Sequence, residues 1–140
     1  MSQDAGHLFG PTHVESYRAT GGEVGHIWKG VPTLLLTTTG RRTGERHTTP
    51  LIYGRDGDRY VVVASKGGAP QHPAWYLNLS ADPDVGLQVA AERFAARART
   101  AGPEERERLW RLMAEIWPAY DEYATKTERE IPVVVLERAG

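Results

Sequence analysis

The 140-residue chain contains no cysteine, which excludes disulfides, thiolate nucleophiles and metal centres with cysteine ligands. No apolar run approaches the roughly 20 residues of a membrane-spanning helix, and Met1–Pro11 is polar and unlike a signal peptide. The chain also has no large excess of positive or negative charge, because 17 Lys and Arg nearly balance 18 Asp and Glu. No overall field therefore attracts nucleic acid or an acidic membrane. These absences predict a soluble, cytoplasmic single domain.

Apolar and β-branched segments predict six short strands and three helices. Arg55–Asp58 is typical of a hairpin turn, because Asp-Gly supplies the positive φ that such turns need. The longest helix begins at Pro103, and Pro118 is expected to bend it. Strands mostly joined by hairpins, with helices between and after them, predict an α+β domain on an antiparallel barrel or sheet. The strands are expected at 33–39, 47–54, 59–65, 85–90, 92–99 and 131–136, and the helices at 12–20, 73–79 and from 103 onward.

The most informative segment is the turn between the first two predicted strands. From Gly40 to His47 it carries three arginines, one histidine and only one acid. Two glycines allow a tight turn with exposed backbone N–H groups, and guanidinium groups match phosphate and carboxylate oxygens. Because the net charge of the whole chain is small, this local basic cluster favours a small anionic ligand over a polymer.

Residues that catalyse acid–base or nucleophilic chemistry on their own are not evident. The five histidines His7, His13, His26, His47 and His72 lack metal-ligand spacing, and Ser65 is outside any G-x-S-x-G elbow. No metal site is expected. If the chain is an enzyme, a bound cofactor must carry out the chemical step. Arg41, Arg42 and Lys66 suit an anionic tail, and Trp75, Tyr76, Tyr120 and Tyr123 suit an apolar slot for a flat ring. Ordinary surface charges and core aromatics explain the same residues equally well.

Five segments, in order and with compatible spacing, resemble the deazaflavin-dependent nitroreductase family, whose members use coenzyme F420. The resemblance implies a Greek-key split β-barrel of the FMN-binding type, flanked by helices. It implies a deazaflavin-binding split-barrel domain over residues 31–140 and leaves outside it an N-terminal helix and lead-in segment over residues 1–30. The implied reaction is hydride transfer from reduced coenzyme F420 to a quinone, a nitroaromatic compound or an activated enone. The matching segments are Leu34–Gly44, Pro50-Leu51, Ala64–Ala69, Pro73–Leu79 and Glu130–Val135.

The same resemblance assigns roles to individual residues. The hairpin residues Arg41, Arg42 and Thr43 would bind the coenzyme's phosphate and oligoglutamate tail, with Lys66 near the phosphate. Tyr120 and Tyr123 would border the substrate pocket. Either Ser65 or Tyr120 would donate a hydrogen bond or a proton to the acceptor. The remaining implied cofactor contacts are His47, Thr48, Thr49, Pro50, Leu51, Ile52, Val63, Ala64 and Ser65 beside the ring, and Ala74, Trp75, Tyr76, Leu77, Asn78 and Tyr120 around it.

Ile52 and Trp117 occupy positions that carry tyrosines in the nitroimidazole-activating members, so a more apolar and bulkier pocket is expected here. Two other interpretations stay open. One is a split barrel that binds flavin mononucleotide or haem, and the other is a non-catalytic barrel that binds anions or nucleic acid through the basic hairpin. A monomer or weak homodimer is expected, located in the cytoplasm, with peripheral membrane contact as a further possibility.

Overall fold

The computed structural model describes residues 3, 4, 6 and 8–139, so His7 and part of the Met1–Pro11 segment lie outside the described residues. The helices are α1 (Gly10–Thr20), α2 (Ala74–Ala81), α3 (Pro103–Ile116) and α4 (Ala119–Ala124), with a 3₁₀ turn at Lys66–Gly68. No helix in this part of the chain is both long enough and apolar enough to cross a membrane. The strands are β1 (Gln3–Asp4), β2 (Val24–Trp28), β3 (Val31–Thr39), β4 (Arg46–Ile52), β5 (Gly54–Asp56), β6 (Arg59–Val63), β7 (Asp84–Val89), β8 (Glu92–Thr100) and β9 (Val133–Arg138).

The described strands form one curled sheet in the order β1-β2-β3-β7-β8-β9-β6-β5, with β4 paired to β3. All neighbours are antiparallel except β1 and β2. The curl brings β4 close to β6. No ladder joins these two strands within the described residues, so the barrel is split along this line.

The structure contains three short strands beyond the six that the sequence predicts. The predicted strand at 47–54 is interrupted at Tyr53, whose backbone N–H donates to the carbonyl of Pro32 at 3.2 Å. The chain then continues as β5, which forms the predicted tight hairpin with β6 around Gly57 at φ +62°. β2 lies in the glycine-rich connection after α1, where sparse apolar residues gave no period-2 signal.

Strands β6 and β9 are buried on both faces, which explains their continuous apolar sequence. Val62, Val134 and Leu136 face the inside of the curl. Their neighbours in sequence, including Val61 and Val135, pack against Leu109 and Met113 of α3. The centre of the sheet therefore has a hydrophobic core on each side.

The last predicted helix is two helices. Trp117 has non-helical angles (φ −135°, ψ 88°) immediately before Pro118, because a proline disfavours the α conformation in the residue before it. The break turns α4 toward the Lys66–Gly68 turn. It thereby places Tyr120 and Tyr123 beside the open seam of the barrel.

Helix α1 packs on the outer face of the sheet through Val14 and Tyr17. The Tyr17 hydroxyl donates to the Thr33 carbonyl at 2.9 Å and accepts from the Ala90 backbone N–H at 2.7 Å. Burial raises the pKa of Tyr17 to about 12. These contacts fix the N-terminal helix against β3 and the turn between β7 and β8.

Candidate active site

A cavity of about 420 Å³ lies in the gap between β4 and β6. This volume is within the range of small-molecule sites, which run from about 300 to 1,000 Å³. Residues predicted from the sequence form much of its wall, and the strand residues among them contribute mostly apolar side chains. The predicted residues that line it are Thr49, Pro50, Leu51, Ile52, Val63, Ser65, Lys66, Trp75, Tyr120 and Tyr123.

The basic hairpin joins β3 to β4 through residues 40–45. Its backbone closes through Gly40 N–H to Glu45 O at 2.7 Å and Gly44 N–H to Gly40 O at 2.9 Å. An added Cβ at Gly40 would lie 2.9 Å from His47 Nε2, so the histidine ring packs directly over this glycine. The hairpin thus has a fixed shape although its tip is exposed to solvent.

Asn78 of α2 attaches the hairpin to the body of the protein. Its Oδ1 accepts from the Arg41 backbone N–H at 3.2 Å and from Arg41 Nη1 at 3.1 Å. Its Nδ2 donates to Thr38 Oγ1 at 3.3 Å. Asn78 is buried, so Arg41 is positioned from inside the fold, whereas Arg42 is exposed and has no ion-pair or hydrogen-bond partner within the described part of the chain.

Lys66 begins a turn with an unusual backbone. Lys66, Gly67 and Gly68 have consecutive φ values of +47°, +64° and +84°, a region that side chains with a Cβ rarely adopt. The turn closes through Gly68 N–H to Ser65 O at 2.9 Å and Ala69 N–H to Lys66 O at 3.1 Å. The Lys66 side chain is exposed at the edge of the cavity.

The guanidinium group of Arg129 holds this turn in place. It donates to the carbonyls of Ala69 (2.8 Å), Ala64 (3.3 Å) and Ser65 (2.8 Å), and it contacts His72 Nδ1 at 3.0 Å. Arginine has donors only, so His72 Nδ1 is the acceptor. Burial lowers the pKa of Arg129 from its ordinary value. Arg129 is far from Ser65 in sequence and carries no local signal of this role.

An aromatic wall lines the other side of the cavity. Trp28 from β2 packs against Trp117 with ring centroids 5.8 Å apart, and Phe9 meets Trp28 edge-on at 5.8 Å. Tyr120 and Tyr123 continue the wall, edge to face at 6.1 Å. Aromatic side chains in such numbers suit a flat, apolar ligand.

Tyr120 and Ser65 are side chains on this cavity that can donate a proton or a hydrogen bond. Burial raises the pKa of Tyr120 far above its ordinary value, so this phenol is neutral at pH 7 and keeps its proton. Ser65 is also buried, at 8% exposure. Within the described residues, neither hydroxyl has a hydrogen-bond partner, so both remain free for a ligand.

Several predicted site residues do not line the cavity. The Thr48 hydroxyl accepts a hydrogen bond from Arg18 Nη2 of α1 at 2.7 Å. The methyl group of Ala64 is in the core, and the Tyr76 hydroxyl contacts Thr100 Oγ1 at 2.8 Å. The predicted residues away from the wall are Arg41, Arg42, Thr43, His47, Thr48, Ala64, Ala74, Tyr76, Leu77 and Asn78.

Much of the N-terminal side of the cavity consists of residues that the sequence patterns did not predict. Phe9, His13 and Trp28 come from α1, its lead-in and β2. His13 is buried, and its Nε2 lies 2.7 Å from the carbonyl of Gly25. The only local signal was the concentration of aromatic residues, which does not indicate which of them will meet. No group of three or more potential metal ligands occurs within the described residues.

Comparison with known proteins connects this site to a family. A model of the F420H(2)-dependent quinone reductase family matches residues 11–138. A Mycobacterium tuberculosis (strain H37Rv) protein named F420H(2)-dependent quinone reductase is 47% identical over 130 residues, which cover 90% of this chain and 87% of that protein.

Two solved structures are similar at 44% identity and a TM-score of 0.71. One is an F420-H2 dependent reductase, FDR-A, matched over 76% of this chain and 94% of its own. The other is described as a domain-swapped dimer and is matched over 76% of this chain and 80% of its own. The α+β split-barrel fold predicted from the sequence is confirmed. This chain belongs to the F420H(2)-dependent quinone reductase family.

Proposed function

We propose that this protein transfers a hydride from reduced coenzyme F420 to a small quinone. Membership of the family makes it an F420-dependent oxidoreductase, and the quinone is the acceptor that the family description favours. The observation that carries the proposal is the cavity between β4 and β6, which has Lys66 at its edge and an aromatic wall.

The residues around the cavity fit the chemistry of the coenzyme. Its anionic tail would lie against Lys66 and the arginine hairpin, where guanidinium groups suit phosphate and carboxylate oxygens. Its flat ring would lie against Pro50, Leu51 and Ile52 of β4. When bound in reduced form, coenzyme F420 supplies the hydride.

The protein's own contribution is positioning and a hydrogen-bond donor. Hydride addition to a quinone places negative charge on an oxygen atom, which a donor in a water-poor site stabilises. Tyr120 suits this role, because its raised pKa keeps it protonated and it borders the cavity. The buried Ser65 hydroxyl is the second candidate donor.

The shape of the wall favours a flat, apolar acceptor. Trp28, Trp117 and Ile52 present little polar surface, so a quinone ring binds mainly through stacking and desolvation, with Tyr120 or Ser65 as its hydrogen-bond donor. Nitroaromatic compounds and activated enones share this flatness, and they remain secondary acceptors within the proposal.

A fluorescence titration tests the cofactor site. Oxidised coenzyme F420 should bind saturably and flavin mononucleotide should not compete. A variant with Arg41, Arg42 and Lys66 all changed to alanine should bind the coenzyme at least about tenfold more weakly, since lost charged contacts are each worth about 1.5–3 kcal/mol. Arg108, Arg111 and Arg138 lie elsewhere, and the same triple change there is the matched control. Equal affinity in both variants, or preference for the flavin, would reject the assignment.

Steady-state oxidation of reduced coenzyme F420 by a short-chain naphthoquinone tests the reaction. Tyr120→Phe should lower kcat and leave coenzyme affinity unchanged, because only the hydroxyl is removed. Ser65→Ala measured alongside decides which hydroxyl acts. Full activity in the double variant would exclude both as donors.

Assembly and location complete the proposal. A related structure described as a domain-swapped dimer supports a homodimer, and sedimentation velocity over a range of protein concentrations would detect it. The cytoplasm is the proposed location, with contact at the membrane surface where quinones reside, and fractionation of cells that express the protein would test this.

A further inference from the structure

A trough runs across the outer face of four strands and shares no lining residue with the cofactor cavity. Its floor is a row of short side chains set by strand register: Thr48 of β4 pairs with Thr37 of β3, Thr37 with Gly86 of β7, and Gly86 with Ala95 of β8. Because residues opposite each other in a sheet point to the same face, the four lie in one row. Thr37, Gly86 and Ala95 of this row line a depression of about 420 Å³.

Three arginines surround this floor, and we refer to the feature as the arginine trough. Arg46 lies two residues before Thr48 on the same face of β4, and Arg93 lies on β8 opposite Gln88, while Arg18 reaches over from α1. No aspartate or glutamate is among the described residues that line it. The trough is therefore a concave surface with positive charge only.

Hydroxyl groups hold two of these arginines in position. Arg18 Nη2 donates to Thr48 Oγ1 at 2.7 Å, and Thr48 Oγ1 lies 2.7 Å from Thr37 Oγ1. Arg46 Nη1 donates to Thr39 Oγ1 at 2.9 Å. A Cβ added at Gly86 would lie 3.4 Å from Arg46 Nη2, so this guanidinium crosses directly above the glycine.

The lack of carboxylate partners distinguishes these arginines from their neighbours. On the same strand as Arg93, Arg97 pairs with Asp84 at 3.1 Å. On the neighbouring strand β9, Arg138 pairs with Glu92 at 2.7 Å. Within the described part of the chain, neither Arg18, Arg46 nor Arg93 has such a partner. Guanidinium groups that share a concavity repel one another, and an anion between them removes the repulsion.

We propose that the arginine trough binds a small phosphate-bearing molecule at a site separate from the cofactor. Several guanidinium groups with nearby hydroxyls are suited to the oxygens of a phosphate, and the volume exceeds that of a single phosphate group. The trough and the cofactor cavity share no lining residue. The proposal is therefore independent of the proposed reductase activity.

The test is a titration of the whole protein with inorganic pyrophosphate, followed by amide chemical shifts in a nitrogen-15 spectrum. Saturable shifts at Gly86 and Ala95 are expected, unchanged when coenzyme F420 is present in excess. The Arg18→Gln, Arg46→Gln, Arg93→Gln triple variant should bind at least about tenfold more weakly, equivalent to about 1.4 kcal/mol. Added salt should weaken the binding, since charges at the surface are screened.

Two further variants distinguish a shaped site from general attraction to positive charge. Gly86→Val fills the floor without changing the net charge, and it should abolish the shifts at Ala95. The Arg108→Gln, Arg111→Gln, Arg138→Gln triple variant removes the same charge outside the trough, so it is the matched charge control and should bind like the unaltered protein. Folding of each variant is checked by the dispersion of its own spectrum.

Three outcomes would overturn the proposal. The first is shifts confined to residues 40–45 and 66–68, since these would place the pyrophosphate at the cofactor hairpin. The second is equal affinity in the trough triple variant and in the Arg108→Gln, Arg111→Gln, Arg138→Gln control. The third is no saturable shift with pyrophosphate but trough-dependent binding to phosphatidylglycerol vesicles, which would make the trough a membrane contact.

Discussion

Replacing Gly68 by alanine should destabilise the protein and open the aromatic wall of the cavity. Gly68 has φ +84°, and an added Cβ would lie 2.8 Å from the carbonyl oxygen of Tyr123 and 3.1 Å from Lys126 Cβ. The first of these is a backbone atom at the end of α4, which cannot rotate away. The substitution therefore forces a shift of α4, the helix that carries Tyr120 and Tyr123.

The size of the effect follows from two contributions. A left-handed conformation costs a residue with a Cβ about 1–2 kcal/mol, and overpacking of a well-packed contact costs about 1–3 kcal/mol. Gly68→Ala should therefore lower the free energy of unfolding by about 2–5 kcal/mol. Gly67 provides a matched control, because it also has a positive φ (+64°) but no atom within 4 Å of its added Cβ. Gly67→Ala should lose only about 1–2 kcal/mol.

Urea unfolding followed by tryptophan fluorescence measures both variants. The KM for a naphthoquinone should rise in Gly68→Ala, provided that the measurement is made where the variant remains folded. Equal destabilisation in the two variants would show that the contact with Tyr123 does not constrain α4. The reasoning about the aromatic wall would then be refuted.

Three further predictions concern the supports of the site and the core. Arg129→Gln should reduce the free energy of coenzyme binding by more than it reduces the free energy of unfolding, because three carbonyls of the Lys66 turn lose their donor. Recovery of coenzyme binding when free guanidinium is added would establish a positioning role for Arg129. No recovery would argue against that role. Burial, reinforced by the charge of Arg129, lowers the pKa of His72, so its contribution to stability is present above about pH 6.5 and is lost as the pH falls through the lower folded-state pKa. The free energy of unfolding should therefore fall less between neutral and acidic pH in His72→Gln than in the unaltered protein. An identical fall in both proteins would contradict this. Leu109→Ala, at a fully buried position of α3, should cost about 2–5 kcal/mol of stability, which calorimetry would detect, whereas an exposed change such as Arg111→Ala should cost little.

Local sequence was sufficient wherever structure depends on adjacent residues. The hairpin at Gly57 follows from the need for a positive φ in a short turn. The break at Trp117 follows from the steric effect of Pro118 on the residue before it. The basic cluster at 40–47 could be predicted to form an exposed turn, because glycines and arginines follow one another between two apolar strands.

Contacts between residues far apart in the sequence could not be predicted in this way. Trp28 and Phe9 reach the cavity only because Tyr17 anchors α1 to β3 and because β2 pairs with the start of β3. Arg129 is about sixty residues from the carbonyls to which it donates. No short sequence pattern predicts a contact between residues so far apart.

The sequence by itself determined the fold class, the basic hairpin and the family resemblance, since each rests on residue order over short segments. The tertiary structure decided which side chains share a surface. Register between β4, β3, β7 and β8 brought Thr48, Thr37, Gly86 and Ala95 into one row and left arginines around it. The split between β4 and β6 formed the cofactor cavity, which shares no lining residue with that trough. Both outcomes depend on strand pairing and packing over the whole domain, because a change of one residue in register moves every side chain to the other face.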